Sequence, residues 1–279
     1  MSYGKIYETS YWGSGRNNTI GWGNVYKDLG VDTDYQAVLD YANDASRNFA
    51  LPSFAQQQAQ SKLIADLKTA GVWAKLDALY VFATNGDSDY ATLNWKAPSA
   101  NQADKTSSPT FTTNIGFNGN GTSSFLELAI DPSVGLTNYV KNSASFGVYS
   151  WDDIETADNN YPISQSTRIR IQKRTAATTN RINNASPTST ENISTSGTGL
   201  LGLNRTNSTQ YGGLSSDGSL ATLMNGSSIT INQEGNFTLN KFGSTYKQGR
   251  IGLAWVGGGL TSSEWSDYVT AVNTYIATL

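Results

Sequence analysis

From Asp77 onward the chain is a succession of short β-prone runs separated by turn residues, and this rhythm constrains the fold more than any other feature. Leu79–Phe82 is ended by Asn85-Gly86; Thr92–Trp95, Ser124–Leu128, Ala144–Tyr149, Arg168–Ile171 and Gly199–Leu203 follow. Ser219–Leu223, Ser228–Ile231, Phe237–Leu239 and Gly249–Val256 complete the series. Strands this close together leave no room for helical crossovers, so the spacing predicts an antiparallel sandwich rather than βαβ units. Asp217-Gly218 between apolar flanks predicts a two-residue hairpin with both central positions at positive φ. The turns draw on Ser, Thr, Asn and Gly, which leaves only 15% charged and 38% hydrophobic residues among 279.

Helical spacing brackets this β region. Thr33 to Gln36 fits a capping box, followed by an apolar face of Tyr35, Val38, Leu39 and Ala42. A second helix is expected from Pro52 or Ser53, with a stripe of Phe54, Ala59, Leu63, Ile64 and Leu67 and a stop at Gly71. Gln56, Gln57 and Gln58 are expected to face solvent. Near the C-terminus, Thr261 and Glu264 form a second capping box. It opens a helix whose stripe is Trp265, Tyr268, Val269, Val272, Tyr275 and Ile276. Gly257, Gly258 and Gly259 let the chain turn out of the last strand into that helix. The organisation expected is an extended anchor segment at 1–32, a small helical region at 33–76, and a sandwich with its C-terminal helix at 77–279.

Composition removes several function classes. The chain has no His and no Cys, which excludes a Ser-His-Asp triad, thiolate nucleophiles, and the usual zinc sites. A formal charge of −3 gives no basic field for a nucleic-acid backbone. No apolar run is long enough to span a membrane. The opening MSYGKIYETS lacks the apolar core of a secretory signal, so the N-x-S/T triplets at Asn120, Asn204 and Asn236 are expected to be unglycosylated.

Three segments carry a family resemblance. GVWAKLDALYVFATNG (71–86) resembles the helix-to-first-strand entry of laminin G-like/concanavalin A-like jelly-roll proteins of tailed bacteriophages. GFNGNGTSSFLEL (116–128), with ASFGVY (144–149) after it, is similar to their glycine-spaced strand entry. YGGLSSDGSLATL (211–223) resembles the Y-x-D-G-x-L hairpin of laminin G-like domains, with its spacing stretched. The resemblance covers roughly 71–279. It implies a mainly β, antiparallel jelly-roll sandwich, and a virion structural protein: a head or tail fibre, a decoration or a receptor-binding component. The other readings are a stand-alone carbohydrate-binding lectin domain and, third, a glycoside hydrolase.

Catalysis is not expected. Jelly-roll glycosidases of the laminarinase-like family carry E-x-D-x-E on one strand, and here Trp151 stands where the nucleophilic Glu would be, with Asp153 and Glu155 in register. Asp152, Asp153 and Asp158 form an oxygen-rich loop suited to calcium as a cofactor. Trp151 and Tyr161 are the aromatic residues expected to be exposed for stacking on a host-surface glycan. Arg168, Arg170, Lys173 and Arg174 read as one solvated strand face and its end. Tyr7, Tyr11, Trp12 and Trp22 lie in a segment too short to own a core and are expected to dock on other virion proteins. The expected state is a homo-oligomer in the virion, assembled in the host cytoplasm, with no nucleic-acid partner and no membrane insertion.

Overall fold

A computed structural model describes residues 30–152, 160–173, 180–183, 198–219, 224–231 and 234–279. The expected docking residues Tyr7, Tyr11, Trp12 and Trp22 and the expected calcium ligands Asp153 and Asp158 lie outside these.

Helix α1 spans Thr33–Ala42 and α2 spans Phe54–Thr69. The cap of α1 is Asp32, whose carboxylate accepts from Asp34 N at 2.9 Å, and not Thr33 as the box pattern suggested. An acidic cap also favours the positive end of the helix dipole. Helix α2 follows Ser53 and ends before Gly71, whose φ of +72° is the left-handed turn expected there. Its stripe differs from expectation: Phe54 is 48% exposed, while Gln56, Gln57 and Gln60 are buried. Helix α3 spans Ser262–Ile276 and has both hydrogen bonds of the Thr261–Glu264 capping box.

Two antiparallel sheets form the sandwich. The larger holds β1 (Leu76–Val81), β3 (Thr110–Thr112), β4 (Gly116–Asn118), β6 (Ala144–Ser150), β10 (Gly199–Arg205), β11 (Gln210–Leu214), β12 (Met224–Asn225) and β16 (Arg250–Gly257). Its order is β12-β11-β10-β6-β16-β4-β3, with β1 also paired to β16. The smaller holds β2 (Asp104–Thr106), β5 (Phe125–Leu128), β7 (Asn160–Ser166), β8 (Ile169–Lys173), β9 (Arg181–Ile182) and β13 (Phe237–Leu239), in the order β2-β5-β13-β7-β8-β9. A two-stranded hairpin, β14 (Lys241–Phe242) with β15 (Thr245–Tyr246), leaves the end of β13.

Strand alternation sorts the side chains into two cores. Between the sheets lie Tyr80, Phe146, Val148, Leu201, Leu203 and Val256 from the larger sheet, against Leu126, Leu128, Ile163, Ile171, Phe237 and Leu239 from the smaller. On the larger sheet's other face Leu79, Tyr149, Leu200, Leu253 and Trp255 meet all three helices through Leu39, Ile64, Trp265, Tyr268 and Val272. The layers are therefore helix, large sheet, small sheet. Trp255 fills a trough cut by two glycines: Gly147 is its cross-strand partner and Gly202 is in turn partner to Gly147. A Cβ on Gly147 would stand 2.2 Å from the indole, so only glycine fits. Trp255, Trp265 and Tyr268 then stack with centroids 5.1–5.6 Å apart.

Several expected strands are otherwise. Tyr90–Thr92 is a 3-10 turn, with Asn94 making a single bridge to Tyr80. Residues 229–231 are irregular, and 220–223 lie outside the described residues. The turn at Asp217-Gly218 is a three-residue loop: Ser215 N bonds Ser219 O, Gly218 N bonds Ser215 O, and only Gly218 has positive φ. That is a type I turn closed by a left-handed glycine, not the two-residue form. No helix among the described residues is long and apolar enough to cross a membrane.

Candidate binding face on the smaller sheet

The helices close one side of the molecule. The outer face of the smaller sheet presents a different chemistry. Ile169 and Ile171 of β8 point to the core, so Arg170 between them points out. The same alternation turns out Glu127, Thr238, Ser164 and Arg181. Register places these residues in one row across the strands: Asp104–Glu127, Glu127–Thr238, Thr238–Ser164, Ser164–Arg170 and Arg170–Arg181 are all cross-strand partners. The row runs from acidic at β2 and β5 to basic at β8 and β9. Glu127 accepts from Asn236 Nδ2 at 2.8 Å, and the Arg181 guanidinium donates to Thr167 O at 2.6 Å.

The β14–β15 hairpin folds over the middle of this row. Asn240, with φ of +59°, bends the chain out of β13 and is tied by its Nδ2 to Gly249 O at 2.7 Å. Lys241 O then accepts from the hydroxyls of Ser164 and Thr238. The bend delivers two aromatic pairs to the face: Phe242 with Tyr161 at 4.7 Å, and Tyr246 with Phe125 at 5.9 Å. Phe125 and Tyr161 are buried beneath, while Phe242 and Tyr246 are half-buried and keep part of each ring in solvent. Cations cover the same rings: Lys241 Nζ is 4.1 Å from the Phe125 centroid, and the Arg170 guanidinium is 4.8 Å from that of Phe242.

The residues singled out from the sequence do not come together. Trp151 continues β6 at the rim of the larger sheet, packs 5.0 Å from Tyr149, and donates its indole N–H to Ile115 O at 2.7 Å. It is half-buried against the helix-side core. Tyr161, expected to be exposed, is 7% exposed beneath Phe242 on the other sheet. Asp152 is bound by Arg250: Oδ1 accepts from Nε at 2.8 Å, and Oδ2 from the Arg250 backbone N at 2.7 Å. Burial works against ionisation of this carboxyl, but the Arg250 hydrogen bonds and charge outweigh it and hold its pKa below the ordinary value. Among the described residues, no three acidic side chains converge into a metal-binding group. Arg170 of the basic run belongs to the row, while Arg174 lies outside the described residues. Sequence reading missed Arg181, Lys241, Phe242 and Tyr246. The signal available was K-F-G-S-T-Y-K at 241–247, two aromatics flanking a turn and themselves flanked by lysines.

No protein-family model matches the chain, and no curated protein does. Among solved structures it is similar to the Trypanosoma rangeli sialidase in complex with 2,3-difluorosialic acid, at a TM-score of 0.46 and 12% identity over 78% of this chain. The chain spans only 39% of that sialidase. It is also similar to domain 4 of AbnA, an extracellular arabinanase from Geobacillus stearothermophilus, in complex with arabinotriose. The TM-score there is 0.41 and the identity 14%, over 70% of this chain and 98% of the domain. Independently of these likenesses, strand order, register and the two-layer core make the chain an antiparallel β-sandwich, with helices at its N-terminal side and one at its C-terminal end.

Proposed function

We propose that this protein is a non-catalytic structural component of a bacteriophage particle, a fibre, decoration or receptor-binding element, whose sandwich holds host-surface glycans on the outer face of the smaller sheet. The observation that carries the binding reading is the polar row beside the half-exposed Phe242 and Tyr246 rings. A saccharide needs both: hydroxyls take hydrogen bonds from fixed polar groups, and the C–H face of a pyranose packs on an aromatic ring. The row meets the first need and the hairpin the second. The phage assignment draws on the three sequence segments that resemble tailed-phage jelly-roll proteins and on the aromatic N-terminal segment. In this reading residues 1–32 anchor the protein to its neighbours in the particle.

The test has two parts. Mass spectrometry of purified particles from an infected host should contain peptides of this chain, and a protein lacking residues 2–30 should fold yet fail to incorporate. Purified protein should bind a subset of a glycan array and release no reducing sugar from it. Absence from particles sinks the virion reading; absence of glycan binding sinks the lectin reading; sugar release sinks the non-catalytic one.

A further inference from the structure

We infer that the saccharide is uncharged and is seated on one side of the β14–β15 hairpin, against Tyr246 and Lys241 above β5; this rests on the glycan reading above and sharpens it. Strand alternation gives the hairpin two unlike faces. Phe242 and Thr245 are cross-strand partners on one, Lys241 and Tyr246 on the other. The hairpin leaves β13 in the middle of the smaller sheet and stands on that sheet as a partition. Phe242 leans on Tyr161 of β7, while Tyr246 and Lys241 lean on Phe125 of β5. The open face is thereby divided into two compartments.

The two compartments are not equally available. The Phe242 ring has Tyr161 at 4.7 Å and the Arg170 guanidinium at 4.8 Å, and Arg170 is itself engaged. Tyr246 is 5.9 Å from Phe125 and keeps part of its ring in solvent. Among the described residues, neither its hydroxyl nor the Lys241 ammonium hydrogen-bonds to another protein group. The ammonium is held 4.1 Å from the Phe125 centroid, which fixes its position without taking up all three N–H donors. On the same outward face stand Glu127, about 7 Å along β5 from Phe125, and its cross-strand partner Asp104. They accept from Asn236 Nδ2 and the Thr106 hydroxyl respectively, and neither is ion-paired among the described residues.

Donors and acceptors of both charges thus surround one aromatic ring. A neutral pyranoside suits this arrangement, because each sugar hydroxyl both donates and accepts and the C–H face packs on Tyr246. A charged sugar loses on one side what it gains on the other. A uronate or sulfated unit meets two carboxylates beside the one ammonium, and an amino sugar stacked on Tyr246 meets Lys241, 6.0 Å from the ring centroid. The desolvation of either charge is then not offset. Lys241 O is bound by the Ser164 and Thr238 hydroxyls, so a ligand that holds the hairpin also steadies β7 beneath it.

The experiment probes an array of neutral, uronate- or sulfate-bearing and amine-bearing oligosaccharides, then titrates the strongest neutral hit calorimetrically. Neutral glycans should make up the hits. Affinity should fall at least tenfold in Tyr246→Ala and in Lys241→Met, which keeps the stem over Phe125. It should fall less in Tyr246→Phe, which keeps the ring, and not at all in Lys62→Gln on α2. Tyr246→Phe and Lys241→Met should melt with wild type, so a loss of binding is not a loss of fold. Asp104→Asn/Glu127→Gln should admit acidic glycans that wild type rejects. Hits confined to charged glycans overturn the neutral assignment. Unchanged affinity in Tyr246→Ala, or a larger loss in Phe242→Leu than in Tyr246→Ala, overturns the seat. Both of these outcomes leave the glycan reading standing, whereas no hit of any class overturns the reading and the inference together.

Discussion

The two sheets share antiparallel pairing and one common core, yet their sequences differ according to what covers them. The central strands of the larger sheet are buried at both parities: Gly199–Arg205 and Ala144–Ser150 are buried at every position, because one face meets the smaller sheet and the other meets the helices. Strands of the smaller sheet alternate, as in Phe237-Thr238-Leu239 and Ile169-Arg170-Ile171, because only one face is covered. A strand's parity pattern therefore reports how many layers it lies between. The binding proposed above is placed on the sheet that kept an open face.

The larger sheet's dependence on its helices gives the largest expected effect. Deleting residues 262–279 removes Trp265, Tyr268, Val272 and Tyr275, each no more than 2% exposed. Each such side chain contributes about 1.5–3 kcal/mol when fully buried, against a total domain stability of about 5–15 kcal/mol. The truncated chain should be insoluble or molten by circular dichroism. A soluble truncation with an unchanged melting temperature would show that the helix is an ornament and that the two sheets are equivalent.

Next comes a paired substitution, one aromatic from each side. Trp255→Ala should cost about 3–5 kcal/mol in urea unfolding, since the glycine trough beneath it cannot collapse to fill the space. Tyr246→Ala on the open face should cost under about 1 kcal/mol. Equal costs would erase the distinction between closed and open faces.

A smaller effect belongs to the polar network under the helices. Gln60, fully buried, accepts from Tyr35 and Tyr90 hydroxyls at 2.5 and 2.8 Å and donates to Thr84 and Tyr275 at 3.1 Å. Gln60→Leu strands part of that network and should cost about 1–3 kcal/mol. A neutral or stabilising result would mean the network contributes register rather than stability.

The smallest concerns pH. Burial opposes ionisation of Glu264, but Lys75 at 2.6 Å and the Thr261 cap outweigh it and leave the pKa lowered. A depressed carboxyl stabilises the fold fully above its unfolded value of 4.5 and loses that contribution as pH falls through the folded value. Glu264→Gln should therefore lower the melting temperature at neutral pH and flatten its fall in acid. An unchanged acid profile would remove the Lys75–Glu264 pair from the account.

Much of the fold was legible because its strongest signals are periodic. The C-terminal helix and its capping box, the runs at 144–149 and 199–203, and the alternation at 168–171 all lie where the pattern places them. Shorter strands were not legible: Thr110–Thr112 and Gly116–Asn118 are too brief for periodicity and exist through pairing with β16 and each other. Gln56 and Gln57 misled because a glutamine was read by polarity. Gln56, seven residues before Leu63, lies on the buried stripe, where Thr84 Oγ1 and Asn85 N donate to its Oε1, and Gln57 beside it donates to Pro52 O. The candidate face was less legible. Arg170 was read only as part of a solvated strand face and Tyr161 as an exposed ring, which the structure buries; the Arg170–Arg181 pairing and the hairpin over Tyr161 arise from register, which no local pattern encodes.

Hydrogen–deuterium exchange with and without a glycan-array ligand separates the open face from the helix-covered one. A glycan on the open face should slow exchange in 160–173 and 237–246 and leave 262–276 unchanged. Slowed exchange at the helices, with 160–173 and 237–246 unaffected, would contradict it.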